Sequence, residues 1–165
     1  MAIKLGNIEC ELREIRLNNK PKNMLQVSPK GTVPVLVLEE RIIDESMDII
    51  NWVINQKNIF NNDVSKSDKT LTETIINDFD NKFKHHLDRY KYSSRYKDVD
   101  LEVHRNVCME MLMQLECFIS KENWFFSSQI SKLDISILPF IRQFRIADKD
   151  WFDNQESIPK TQKLL

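Results

Sequence analysis

The sequence predicts a small α/β domain followed by a domain made only of helices. In the first part of the chain, short runs rich in Val, Ile and Leu alternate with helical patterns, which is typical of an α/β domain. In the second part, apolar residues recur at steps of three or four, as in amphipathic helices. A polar stretch over residues 56–68 separates the two parts and is predicted to be a linker. The predicted domains therefore cover residues 1–58 and 66–165.

Three strands are predicted in the first domain. Apolar residues alternate with polar ones over residues 8–15, which indicates a strand of moderate strength. Residues 35–38 are a Val and Leu run that predicts a buried strand, and residues 41–43 predict a second short one. Because Pro34 cannot donate to a sheet, it is expected at a strand's first position, an edge or a bulge. The bond between Val33 and Pro34 is a candidate cis peptide.

Helices fill the rest of this domain. Pro21 suits the first turn of a short helix that runs to about Val27. A longer helix is predicted over residues 44–55. Glu45 and Ser46 stand at its start, where serine is also common as an ordinary cap. Its apolar side consists of Ile49, Ile50, Trp52 and Val53.

The second domain contains two long amphipathic stripes. The first comprises Leu71, Ile75, Phe79, Phe83, Leu87 and Tyr90, and the second comprises Leu101, Cys108, Met111, Leu112, Leu115, Phe118 and Ile119. Ser131 and Asp134 then form a predicted capping box. The helix that follows, from Leu133 to about Phe144, is unusually apolar, so we expect it to be the buried central helix, kinked at Pro139.

Composition excludes several classes of function. A net charge of −1, with both signs dispersed, is no signature of nucleic-acid binding. No apolar run approaches the length of a membrane span, and the start of the chain does not fit a signal peptide. Three widely spaced cysteines predict reduced, buried thiols and a cytoplasmic protein. No metal is expected, because the adjacent His85 and His86 would point about 100° apart on a helix.

These features together resemble the soluble glutathione transferases, in particular a bacterial group. The resemblance covers nearly the whole chain. It depends most on the combination of residues 28–38, which contain Val33 and Pro34, with Glu45 and Ser46. Further matching segments are residues 11–14, 20–21, 83–92 and 139–144. The resemblance implies an incomplete thioredoxin-like domain of the α/β class, followed by an all-helical domain, and a homodimer.

The resemblance also implies roles for individual residues. The Val33 main chain would pair with the cysteinyl part of glutathione, next to a cis bond to Pro34. Glu45 and Ser46 would hold the γ-glutamyl end, and Lys20 would reach the glycyl carboxylate. The helix that contains His86, Arg89 and Tyr90 would border the place of the second substrate, a small electrophile. A solvated or core-packing helix face is the alternative for these three residues.

In the family, a strand and most of a helix precede the residues that match Met1, and their turn carries the Ser, Tyr or Cys that acts on the sulfur. We therefore expect a chain shortened at both ends, with no catalytic residue of its own, little conjugating activity and poor solubility. Two other functions stay open. One is a non-catalytic binding or scaffold protein, and the other is a glutathione-dependent thiol transferase or reductase.

Overall fold

The computed structural model describes residues 1–60, 65–121 and 124–165, and the chain divides into two compact units, Met1–Phe60 and Asn61–Leu165. The first unit contains α1 (Ala2–Leu5), α2 (Lys22–Val27), β1 (Leu36–Val37), β2 (Ile42–Ile43) and α3 (Ser46–Lys57). The two strands pair antiparallel, with Leu36 opposite Ile43 and Val37 opposite Ile42.

The predicted strand over residues 8–15 is wrong. This segment contains no strand, and the nearest pairing is an isolated bridge between Arg16 and Asn19. A strand exists only where its backbone groups pair with a neighbour, and in the described part of the chain the sheet consists of β1 and β2 alone. Leu12 is 80 % exposed, so the alternation of apolar residues does not mark a buried face.

The strands that follow Pro34 are shorter and more exposed than expected. The predicted spans 35–38 and 41–43 reduce to two residues each. The expectation of a buried strand over 35–38 is wrong, since Leu36 is half-buried and Val37 is 59 % exposed. A continuous apolar run is buried when layers cover both faces of a sheet. The described two-stranded sheet leaves the Val37 side chain in solvent.

The core of the first unit is built on α3. This helix begins and ends two residues later than predicted and stops at Asn58, whose φ of 50° is a left-handed helix end. Ile49, Ile50 and Val53 are buried as predicted, whereas Trp52 is only half-buried. α1 packs on α3 at Gly6, where a β-carbon would lie 2.8 Å from Val53 Cγ1. Close helix contact is therefore the reason for glycine at this position.

The second unit is helical throughout its described part. It contains α4 (Lys66–Asp78), a π-helical turn (Phe79–Phe83), α5 (Lys84–Lys91), a 3-10 turn (Ser93–Arg95), α6 (Leu101–Leu115), a second 3-10 turn (Glu116–Phe118), α7 (Lys132–Ala147), α8 (Lys149–Asp153) and α9 (Pro159–Lys163). The segment 56–68 was predicted to be a linker, but its first two residues belong to α3 and its last three belong to α4. Residues 61–64 of this segment lie outside the described residues. The short helix α8 was not predicted.

Aromatic rings form the centre of this unit. Phe79 and Phe83 stack with ring centroids 4.4 Å apart, and Phe83 meets Phe144 edge-on at 5.8 Å. Phe144 in turn contacts the ring of Phe152 at 5.9 Å. The π-helical turn sits between α4 and α5 and contains both stacked rings at its ends. One stripe of apolar residues thus predicts a single helix, but the backbone follows a wider turn where the two rings stack.

The capping box at the start of α7 is present. The Ser131 amide donates to Asp134 Oδ2 at 2.7 Å, and the Asp134 amide donates to Ser131 Oγ at 3.4 Å. Asp134 also accepts a hydrogen bond from the amide of Phe125 at 3.0 Å, so it joins the preceding loop to the helix. Burial raises the pKa of Asp134, and the bonds from Ser131 and Phe125 oppose that rise. α7 continues through Pro139 and is buried without interruption over residues 133–138.

Candidate functional site

The first unit brings the predicted ligand residues onto a loop and the start of a helix. Val33 and Pro34 end one residue before β1, and Glu45 and Ser46 begin one residue after β2. The Val33–Pro34 peptide bond is cis. Val33 is 47 % exposed, so a segment of another molecule can approach this part of the chain.

A partly buried hydrogen bond fixes the loop against the start of α3. Ser28 is buried, and its hydroxyl donates to Asp44 Oδ2 at 2.9 Å. The loop then turns at Gly31, whose amide donates to the Ser28 carbonyl at 2.9 Å and whose φ is +63°. Such a φ favours glycine, because a β-carbon there would clash with the backbone. The turn sets the direction in which Lys30 leaves the loop.

Lys30 forms an ion pair with Glu45 across this junction. The ammonium group lies on the carboxylate, and the two side chains are 48 % and 56 % exposed, respectively. The pairing follows from the Ser28–Asp44 bond, since Lys30 lies two residues after Ser28 and Glu45 lies one residue after Asp44. The carboxylate of Glu45 is thus accessible but paired.

Glu45 occupies the N-cap position of α3, and Ser46 is the first helical residue. In the described part of the chain, Glu45 makes no capping hydrogen bond with its side chain. An ordinary serine cap, the alternative that the sequence left open, is not what the structure shows. Amide groups at the start of a helix of this length favour an anion.

The Lys20 side chain also reaches this turn. A β-carbon built on Gly31 would be 3.7 Å from Lys20 Nζ. Two lysine side chains therefore lie at this turn, Lys20 near Gly31 and Lys30 on Glu45. The structure brings together Lys20, Glu45 and the loop before Pro34 within one unit.

The helix α5 carries the other predicted site residues, each with partners inside the second unit. One Nδ1 of the pair His86 and His104 donates to the other at 2.8 Å, which joins α5 to α6. Arg89 donates to the His85 carbonyl at 3.2 Å and lies over the Tyr96 ring at 4.6 Å. The Tyr90 ring packs on Phe144 at 5.6 Å between centroids.

Burial and neighbouring cations lower the pKa of the two paired histidines. For His86, burial is the largest cause, followed by the charges of His104, His85, Lys82 and Arg89. For His104, burial again comes first, followed by Arg89 and His85, and the carboxylate of Asp100 opposes the shift. For Tyr90, burial and then Asp148 raise the pKa of the phenol, whereas Arg105 opposes the rise.

We expect acid to destabilise the second unit through this histidine pair. Since the folded pKa values lie below the unfolded ones, the unfolded chain binds more protons, and the free energy of unfolding falls as the pH drops through the unfolded value of about 6.5. Urea titrations at a series of pH values from about 7 to about 5.5 measure the free energy of unfolding as a function of pH. Few other side chains titrate in this range. His104→Gln should flatten the dependence, and His85→Gln, with a more exposed ring, should change it less. A free energy that stays level in the wild type would contradict this account.

The cysteines differ in their surroundings. Cys108 is buried, and burial raises its pKa to about 12, so it is a protonated, inert thiol. The expectation of burial is wrong for Cys10 and Cys117, which are both exposed. Cys10 belongs to the segment that forms no strand, and Cys117 belongs to the 3-10 turn after α6.

Within residues 1–60, 65–121 and 124–165, no group of three or more His, Cys, Asp or Glu side chains could hold a metal ion. Across the same ranges, no helix combines the length and the apolar character needed to cross a membrane.

Two residues of these clusters were not identified from the sequence. Lys30 lies inside the segment that carries the resemblance, but its partner is 15 residues away, and a pattern of single residues does not show that pairing. His104 is 18 residues from His86. The signal for His104 was that all three histidines of the chain lie on two consecutive amphipathic helices, which pack on each other in an antiparallel pair when the connection is short.

Comparison with known proteins agrees with this architecture. Residues 1–60 match the family model described as "Glutathione S-transferase, N-terminal domain". Comparison with curated proteins gives no significant match.

Among solved structures, a Tau class glutathione S-transferase from mango, Mangifera indica, is 18 % identical with a TM-score of 0.69, over 99 % of this chain and 87 % of that one. A glutathione transferase family member from Pseudomonas fluorescens, solved with two glutathione molecules bound, is 13 % identical with a TM-score of 0.78, over 99 % and 78 % of the two chains. A glutathione S-transferase from Rhodospirillum rubrum is 18 % identical with a TM-score of 0.73, over 99 % and 77 %. The protein therefore has a glutathione-transferase-like fold, with a small thioredoxin-like α/β domain and a predominantly helical domain.

Proposed function

We propose that the first unit binds glutathione and that the protein is glutathione-transferase-like, of the class that conjugates the thiol of glutathione to small electrophiles. The observation that supports this best is the position of Glu45. Its carboxylate lies at the start of α3, is 56 % exposed and makes no capping bond in the described part of the chain, so it can receive the ammonium group of a ligand. The match of residues 1–60 to the N-terminal domain model supports the same assignment.

Each end of the tripeptide has a partner in this proposal. The main chain of Val33 pairs with the cysteinyl part, as an added strand would. Glu45 takes the α-ammonium group, and Ser46 with the first amides of α3 takes the α-carboxylate. Lys20 takes the glycyl carboxylate. For the electrophile, the resemblance points to His86, Arg89 and Tyr90 on α5, and for the assembly and location it points to a homodimer in the cytoplasm.

Titration calorimetry with glutathione tests the binding step. We expect Glu45→Ala and Ser46→Ala each to weaken binding by about 1–3 kcal/mol, because each variant removes a charged or hydrogen-bonded partner of the ligand. Asp48→Ala is the matched control, since Asp48 is an exposed carboxylate in the first turn of the same helix. An affinity that is unchanged in both site variants would overturn the assignment of this site.

A second measurement separates the classes of function. Turnover of a halogenated nitrobenzene in the presence of glutathione supports conjugation. Reduction of a mixed disulfide, with no conjugation, supports a thiol transferase. Binding of glutathione with neither reaction supports the binding or scaffold role.

A further inference from the structure

The resemblance assigns no role to Lys30, the cation that is paired with Glu45. Lys30 reaches the Glu45 carboxylate from the turn that Gly31 and the Ser28–Asp44 bond hold in place. Both partners of the ion pair are about half exposed, and exposed pairs of this kind contribute little to stability. Lys30 can therefore leave Glu45 at small cost when another cation takes its place.

The charges around this turn match those of the proposed ligand. Lys20, Lys30 and Glu45 provide two ammonium groups and one carboxylate. Glutathione at neutral pH carries the opposite set, with two carboxylates and one ammonium group. Asp44, the neighbouring acid, already accepts the hydroxyl hydrogen of Ser28. If Lys20 and Glu45 serve the glycyl and α-ammonium ends, one cation and one carboxylate are left, namely Lys30 and the α-carboxylate.

We propose that Lys30 is a specificity-determining residue that binds the α-carboxylate of the ligand's γ-glutamyl end after the ligand's ammonium group has displaced it from Glu45. This inference rests on the proposed binding of glutathione. The α-ammonium and α-carboxylate groups share one carbon atom, so a carboxylate whose ammonium lies on Glu45 lies within reach of a lysine that reaches Glu45. The Lys30–Glu45 ion pair is thus replaced by two ion pairs with the ligand, in which Glu45 binds the ammonium group and Lys30 binds the α-carboxylate.

The exchange predicts a preference for ligands that carry both charges. The test compares glutathione with 4-aminobutanoyl-cysteinyl-glycine, which lacks only the α-carboxylate, by titration calorimetry. In the wild-type protein glutathione should bind more tightly than this analogue. In Lys30→Gln the preference should fall about threefold, the scale of an exposed ion pair. Some preference should remain because Ser46 and the start of α3 also face the carboxylate in the proposed site.

Two further variants control the experiment. Lys57→Gln removes an exposed lysine at the far end of α3 and should leave the preference unchanged. Lys30→Arg keeps the positive charge and should preserve most of the preference for glutathione over the analogue. Circular dichroism establishes that each variant is folded before its affinity is compared.

The outcomes are distinct. A Lys30→Gln variant that binds glutathione with its full preference overturns the role of Lys30 and leaves the proposed function intact. Tighter binding of glutathione and its analogue alike in Lys30→Gln shows that Lys30 only obstructs the site, which also overturns the inference. A wild-type protein that binds neither ligand removes the proposed function and this inference together.

Discussion

Phe83→Ala is expected to lower the free energy of unfolding of the second unit by about 3–5 kcal/mol, the range for removing a fully buried aromatic ring. The Phe83 side chain is completely buried, stacks on Phe79 and meets Phe144 edge-on. Its loss leaves a cavity where α4, α5 and α7 meet. Urea denaturation followed by far-ultraviolet circular dichroism gives the measurement.

The control for Phe83 is an apolar residue on the surface of the same unit. Ile146 on α7 is 52 % exposed, so Ile146→Ala should change the stability by no more than about 0.5 kcal/mol. Similar losses in the two variants would contradict the position of Phe83 in the core. Phe83→Leu, which keeps much of the volume, should fall between them.

Asp134→Ala is expected to lower the free energy of unfolding by about 3 kcal/mol. The substitution leaves two backbone amides without their acceptor and removes one side of the capping box. Those amides belong to Ser131 and Phe125, and the Asp134 side chain is fully buried. Thermal or urea unfolding of the purified protein tests the prediction. The hydrogen bonds that Asp134→Ala removes lie at the start of α7, the most buried helix in the described part of the second unit.

Ser131→Ala is the comparison for Asp134→Ala. It removes the hydroxyl that caps the Asp134 amide but leaves the carboxylate with its two amide donors, so we expect a loss of about 1 kcal/mol. A larger loss for Ser131→Ala than for Asp134→Ala would contradict the interpretation of Asp134 as the link between the loop at Phe125 and the helix.

Both predictions of large effect concern the second unit because its core is aromatic and continuous, whereas the first unit leaves much of its apolar surface in solvent. Its exposed apolar side chains include Leu12, Leu17, Val37 and Ile42. For the same reason, substitutions at the candidate ligand residues of the first unit should act on binding more than on stability. Glu45 and Ser46 are both exposed, and neither supports the buried side of α3.

The candidate site was only partly predictable. Val33, Pro34, Glu45 and Ser46 were identified through the resemblance, which depends on a proline before a strand and on an acid and a serine at a helix start, and the structure places them on neighbouring segments of one unit. The ion pair of Glu45 with Lys30 and the contact of His86 with His104 were not predicted. Each of these joins residues that are far apart in the sequence.

The sequence by itself determined the two long amphipathic stripes of the second unit and the start of α7, but not the short helix α8. Their signals are local, because the period of an amphipathic stripe and the spacing of Ser131 and Asp134 depend only on residues a few positions apart. Only the tertiary structure decided which extended segments are strands. Residues 8–15 alternate as a strand would, yet they form none, because a strand also depends on a neighbour with which its backbone pairs. The exposure of Val37 and the partner of Glu45 likewise depend on contacts that no single segment contains.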